Sequence, residues 1–141
     1  FSVAGVTEQN RPERVTQALA AFFQCLAPWL QQARTAAIEP VLFGFSQGGI
    51  MLLEAAKTIE LSDCHLLVCA TRFASLPDQA LSVKSLGWLH GQRDPLFSPE
   101  LVLQAKQRLA QFGQDIEPQI FAGMQHELPT QAAVDWISAL V

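Results

Sequence analysis

Four short apolar runs alternate with helical patterns, and that alternation limits the folds open to the chain more than any other feature. Val41-Leu42-Phe43-Gly44-Phe45 is short, continuous and apolar, as a parallel strand covered on both faces would be. His65 to Ala70, Ser85 to His90 and Pro118 to Ala122 repeat the pattern. Upstream, Val15, Leu19, Phe22, Leu26 and Leu30 recur at spacings of three and four, which predicts an amphipathic helix from about Pro12 to Arg34. Pro12 suits its first turn, and Pro28 is expected to kink or split it. A second helix is expected from Gly48 to Glu60. Ser98 caps and Pro99 opens a third, with Leu101, Ala105, Leu109 and Phe112 on one stripe and Gly113 as its stop. The last starts near Pro129 or Thr130 and carries Ala133, Trp136, Ile137 and Leu140 along one face. Strands alternating with helices imply an α/β fold, a parallel sheet of about four strands with right-handed crossovers. Ligands of such sheets gather at the carboxyl ends of strands.

Composition narrows the function classes. With 141 residues, half apolar and 16% charged, the chain can bury one core without disulfides, and no repeat or linker divides it, so residues 1–141 read as one domain. The net charge is −4 and no Lys/Arg cluster forms a phosphate-tracking stripe, which disfavours nucleic-acid binding. No apolar run reaches the roughly 18 residues of a membrane span and no signal peptide opens the sequence, so a cytoplasmic protein without stable membrane insertion is expected. Cys25, Cys64 and Cys69 sit in apolar periodic segments with no C-x-x-C pair and read as buried free thiols. No metal-ligand spacing is visible, and neither metal nor cofactor is expected. Trp29, Trp88 and Trp136 read as core fillers. His65, at the amino end of its strand, reads as structural, and His90 as packed beneath the loop that follows it.

The strand-end rule singles out three residues. The first strand runs into Gly44-Phe45-Ser46-Gln47-Gly48-Gly49, the G-x-S-x-G pattern in its required setting of strand, sharp turn and helix. In that turn the serine hydroxyl is lifted out of the sheet, and a side chain at Gly44 or Gly48 is expected to crowd it. The following helix aims its positive end at the site, with the Gln47 backbone N–H as the natural oxyanion donor. A glycine-rich helix cap or phosphate cradle is the plainer alternative, but no Walker lysine or G-x-G-x-x-G spacing is present. The third strand ends in His90-Gly91-Gln92-Arg93-Asp94-Pro95, and the fourth is followed by Gly123-Met124-Gln125-His126. Alone, Asp94 would be an Asp-Pro turn residue and His126 a structural histidine. Together Ser46, Asp94 and His126 follow the chain order of an α/β-hydrolase triad, each past a different strand. Leu96, Phe97 and Met124 flank the two loops and are candidates for lining an acyl pocket.

At these strings the sequence resembles the phospholipase/carboxylesterase family of α/β-hydrolases, which includes acyl-protein thioesterases. The resemblance implies an α/β-hydrolase fold, with Ser46 as nucleophile, His126 as general base, Asp94 as orienting acid and Gln47 N–H as one oxyanion donor. It implies hydrolysis of small carboxylic esters or thioesters through an acyl-enzyme. The family's earlier strands and its H-G-x-G-D-like loop, which supplies the other oxyanion donor, have no counterpart before Ser46. Phe1 is therefore expected to fall partway into a longer enzyme, with the chain forming the C-terminal part of the full fold. The strand from Val41 to Phe43 would then leave an unpaired apolar edge, open to homodimerisation or aggregation. The alternative is an inactive fragment or an interaction module that self-associates through that edge.

Overall fold

The computed structural model describes residues 4–140. The elements run α1 (Arg11–Thr35), β1 (Val41–Phe45), α2 (Gln47–Ala55), β2 (Leu61–Cys69), β3 (Val83–Gly91), α3 (Pro99–Ala110), β4 (Gln119–Phe121) and α4 (Thr130–Ser138). The strands form one parallel sheet in the order β1-β2-β3-β4. The expected α/β class and strand number hold, and β1 stands at one edge.

Period-two alternation sends the strand side chains into two layers. Leu66, Val68 and Trp88 face one side, where Leu30 of α1, Leu52 and Leu53 of α2, and Val102, Ala105 and Leu109 of α3 complete the larger core. Leu67, Cys69 and Leu89 face the other, against Ala133 and Trp136 of α4. A third cluster joins Val15 of α1 to Ile50 and Met51 of α2, with Phe97 packed against it. Val41, Phe43 and Phe45 of β1 are 37%, 44% and 36% exposed. The register places Phe43 beside Leu67 and Phe45 beside Cys69, so these side chains continue the α4 face where α4 no longer covers it. Among the described strands the expected apolar edge is therefore present.

Several expectations need correction. α1 passes through Pro28 as one helix of 25 residues rather than splitting. Pro28 and Gln24, whose carbonyl loses its helical partner, lie on the exposed side, where the freed group is open to solvent. α2 stops at Ala55 rather than Glu60, because the chain must turn for Leu61 to donate its N–H to the Ser82 carbonyl and open β2. β2 thus begins four residues before His65, with a register shift between Leu61 and His65. No helix lies between β2 and β3. Residues 70–82 cross as a loop, pinned where the buried Glu54 carboxylate accepts the Ala74 and Ser75 N–H groups and pairs with Lys57. Cys64 and Cys69 are buried free thiols as expected, but Cys25 is exposed. Trp88 and Trp136 pack in the two layers, whereas Trp29 is 71% exposed on the outer face of α1. His65 pairs with Ser85 (2.7 Å) and Glu39 (3.4 Å) at the amino end of β1, a structural role away from Ser46.

Candidate active site

The turn after β1 is strained and held in place. Ser46 has φ 52° and ψ −117°, a positive φ that costs a non-glycine residue on the order of 1–3 kcal/mol. Its N–H donates to the Cys69 carbonyl at 2.9 Å, and its carbonyl accepts the buried Thr71 hydroxyl at 2.7 Å and the Ile50 N–H at 3.1 Å. Main-chain and side-chain bonds thus fix a conformation that serine would otherwise avoid. Gln47 is the first residue of α2, whose positive end faces the turn. Ser46 occupies the N-cap position of this helix, yet its side chain makes no capping bond. The hydroxyl lies 2.8 Å from His126 Nε2 instead, which removes the helix-cap alternative.

The close approach of strand and helix rests on two glycines. A Cβ at Gly44 would sit 2.7–2.8 Å from backbone atoms of Gly48 and Gly49, and one at Gly49 would meet the Thr71 side chain at 2.7 Å. The expectation that Gly48 must be bare is corrected, since a Cβ there meets nothing within 4 Å. Gly48 points outward and Gly49 inward, because one step along a helix turns the side chain by about 100°.

Asp94 lies in the loop beyond β3, its side chain fully buried. One oxygen accepts the Leu96 and Phe97 N–H groups at 2.8 and 3.0 Å, and the other is 2.8 Å from His126 Nδ1. Burial pushes the carboxyl up, but the Phe97 N–H, the His126 ring and the Leu96 N–H outweigh it, so Asp94 sits below the usual carboxylate range. An ionised carboxylate only accepts, so Nδ1 carries the proton and donates it. In the neutral ring Nε2 then holds a lone pair, which accepts the Ser46 hydroxyl. Phe45 and Phe97 flank the imidazole at centroid distances of 5.2 and 5.8 Å.

The loops carrying Asp94 and His126 cross at Gly91, where a Cβ would lie 2.2 Å from the Gln125 carbonyl oxygen. They are bonded there by the Gln92 N–H to the Phe121 carbonyl (3.0 Å) and the Arg93 N–H to the Met124 carbonyl (2.8 Å). His90 packs beneath the acid loop as expected, fully buried, with Nε2 donating to the Phe97 carbonyl at 2.8 Å and 3.8 Å from Asp94.

Beside Ser46 and Gln47 opens a cleft of about 440 Å³, walled by Val6, Arg11, Ile50, Leu96 and Phe97. Leu96 and Phe97 are therefore in the expected place and Met124 is not. Its backbone ties the two loops instead. Among the described residues no group of three or more His, Cys, Asp or Glu side chains stands together as a metal site would. No helix of the described residues is long and apolar enough to cross a membrane. Sequence reasoning missed Phe45, Thr71, Gly91 and Arg11. Thr71 lies two residues past the end of β2, so the strand-end rule applied to that strand as well would have found it.

The profile of the phospholipase/carboxylesterase family matches residues 1–139. The esterase YpfH of Escherichia coli strain K12 is 31% identical over 132 residues, which are 94% of this chain and 57% of that protein. Among solved structures, esterase PE8 superposes with a TM-score of 0.75 at 18% identity, covering all of this chain and 68% of that one. A Bacillus cereus carboxylesterase gives 0.67 at 15% identity, covering all of this chain and 66% of that one. The fold is that of the α/β-hydrolases, with a four-stranded portion of the sheet described, and the chain belongs to the phospholipase/carboxylesterase family.

Proposed function

We propose that this chain carries the catalytic triad of a serine hydrolase that cleaves small carboxylic esters or thioesters, with Ser46 as nucleophile, His126 as general base and Asp94 as its orienting acid. The observation that carries the reading is the unbroken path of two 2.8 Å contacts from Asp94 through His126 to Ser46, assembled from loops behind three different strands. His126 Nε2 takes the Ser46 proton as Oγ bonds to the acyl carbon. The tetrahedral oxyanion is met by the Gln47 backbone N–H at the start of α2. On collapse the bond from the acyl carbon to the leaving group breaks, and the leaving alcohol or thiol takes the proton from His126. Water, deprotonated by the same ring, then hydrolyses the acyl-enzyme and regenerates Ser46. Asp94 stays ionised throughout and stabilises the imidazolium.

The test is the intact mass of the protein before and after a fluorophosphonate probe, run beside Ser46→Ala. One adduct on the native chain and none on the variant is the expected result. Ester turnover should fall by a factor on the order of 10⁶ in the variant. A native chain that takes up no probe refutes the reading. Loss of one oxyanion donor costs roughly 10²–10³ in turnover, so labelling reports the triad even where hydrolysis is slow.

A second reading rests on the exposed side chains of β1, namely self-association through this edge to form a homodimer without catalysis. Sedimentation that shows a concentration-dependent dimer, abolished by Phe43→Lys, together with an unlabelled Ser46, would favour it.

A further inference from the structure

Arg11 is the single charged residue lining the cleft beside Ser46 among the described residues, and nothing in the proposed acyl transfer uses it. The rest of the wall, Val6, Ile50, Leu96 and Phe97, is apolar. The Arg11 side chain is only 13% exposed, at the first residue of α1, with its guanidinium carbon 5.9 Å from the centre of the Phe97 ring. It pairs through Nη1 with Glu8. That carboxylate is shared, because Arg72 Nη1 also bonds it at 2.7 Å. The Arg11 bond first, and the Arg72 bond after it, outweigh burial and hold the Glu8 carboxyl below its ordinary value. Two guanidinium groups therefore face one carboxylate, and the cluster keeps a positive charge on a chain whose net charge is −4. The Asp94 carboxylate does not line the cleft and is fully buried and bonded to His126, so it does not neutralise the cleft. Arg11 Nε and Nη2 have no hydrogen-bond partner among the described residues.

From this we propose that Arg11 selects esters carrying a carboxylate, which its guanidinium binds while Ser46 attacks the ester carbonyl. The inference rests on the serine-hydrolase reading and names the substrate class of that site. A wholly apolar acyl chain filling the cleft would strip water from a cation and return nothing to it. A carboxylate meets two parallel N–H donors in the planar fork that suits it, a charge-assisted contact roughly twice as strong as a neutral one. The aliphatic part of the substrate packs on Ile50, Leu96 and Phe97.

The experiment measures kcat/KM of the full chain on two matched pairs. Mono-4-nitrophenyl adipate against 4-nitrophenyl hexanoate places the charge on the acyl half. 4-Carboxyphenyl hexanoate against its 4-carbamoylphenyl analogue places it on the leaving group. One pair should show a preference of about tenfold or more for the charged ester. That ratio should collapse toward unity in Arg11→Met, recover in part in Arg11→Lys, and rise above native in Glu8→Gln, which releases Arg11 from its partner. Opposite movements in two variants of one ion pair cannot come from a general loss of folding. Hydrolysis of neutral esters with neither ratio above unity, or with a ratio that Arg11→Met leaves intact, overturns the inference and leaves the serine-hydrolase reading standing. Absence of both hydrolysis and fluorophosphonate labelling overturns the two together.

Discussion

Replacing Gly44 with alanine tests the account of the turn, because its effect can be worked from distances and set against a neighbouring glycine that sequence alone treats as equivalent. The new Cβ would lie 2.7 Å from Gly49 Cα and 2.8 Å from Gly48 O and Gly49 N. Carbon atoms in contact sit about 3.5–4.0 Å apart, so β1 and the first turn of α2 must separate by roughly 1 Å. All three neighbours are backbone and none can rotate away. Overpacking of this kind costs about 1–3 kcal/mol, here toward the upper end. Gly48→Ala adds a methyl group where nothing lies within 4 Å, in a helix that prefers alanine to glycine by up to about 1 kcal/mol. At about 2.1 cal/mol/K of unfolding entropy per residue, 1 kcal/mol shifts the melting temperature of 141 residues by roughly 3 °C. Gly44→Ala should therefore melt roughly 6–9 °C below the native chain and Gly48→Ala at or slightly above it, as read by calorimetry. Displacing Ser46 from His126 by 1 Å should also slow fluorophosphonate labelling of Gly44→Ala by a factor on the order of 10². Equal melting temperatures for the two variants, or a Gly44→Ala chain that labels at the native rate, would refute the steric argument.

Asp94→Asn keeps the size of the side chain but removes the charge that fixes the His126 tautomer, so ester hydrolysis should drop by about 10⁴. A loss below tenfold in initial rates would show that another group orients the ring. Native protein should react with Ellman's reagent at one thiol, Cys25, and at all three only in denaturant, since Cys64 and Cys69 are buried and burial is the main force pushing each thiol up to about 12. Early modification of a second thiol would contradict the packing of β2. Arg34 grips Asp63 through two bonds of 2.7 and 3.0 Å, tying the end of α1 to the start of β2 and lowering the Asp63 carboxyl to about 2. A depressed carboxyl stabilises the fold fully above its unfolded value near 4 and loses that contribution as pH falls toward 2. Asp63→Asn should thus melt slightly below native protein at pH 7, with the gap closing at pH 2. A gap that persists at pH 2 would mean the pair acts through packing rather than charge.

What could be read from the residues was whatever a local period or a strand end encodes. The runs at Val41, His65, Ser85 and Pro118 became the four strands, and Ser46, Asp94 and His126 stand past three of them because the chain must leave a parallel sheet at its carboxyl end. Misses came where a distant part of the chain decides. Cys25 and Trp29 obey a helical period, yet they lie on a side of α1 that no described element covers. Glu60 fits a helix, but its oxygen instead accepts the Ser82 hydroxyl across the β2–β3 connection. Between β2 and β3 no particular helix could be placed from the residues, and the chain there is a loop that contains Pro77 and is organised by the Glu54 carboxylate, twenty residues upstream of its bond to Ala74. Arg11 stands one residue before the helix start expected at Pro12 and was not singled out, since nothing local signals that Phe97 lies beneath it.

The three site loops are also joined by a ladder that continues the sheet beyond its strands. Ser46 N–H bonds Cys69 O at the end of β2, Ala70 N–H bonds Leu89 O in β3, and Gln92 N–H bonds Phe121 O at the end of β4. Each link runs from one loop to the neighbouring strand in register, so strand pairing sets where each loop leaves the sheet, and the bonds between the Asp94 and His126 loops then bring the side chains together. A positive φ at Ser46 and at Ala70 is the local expense of that continuation, since both residues must turn sharply while keeping a bond sideways. Strain and precision here have one origin. The same backbone bonds that hold Ser46 in a conformation it would not choose also set its hydroxyl 2.8 Å from His126.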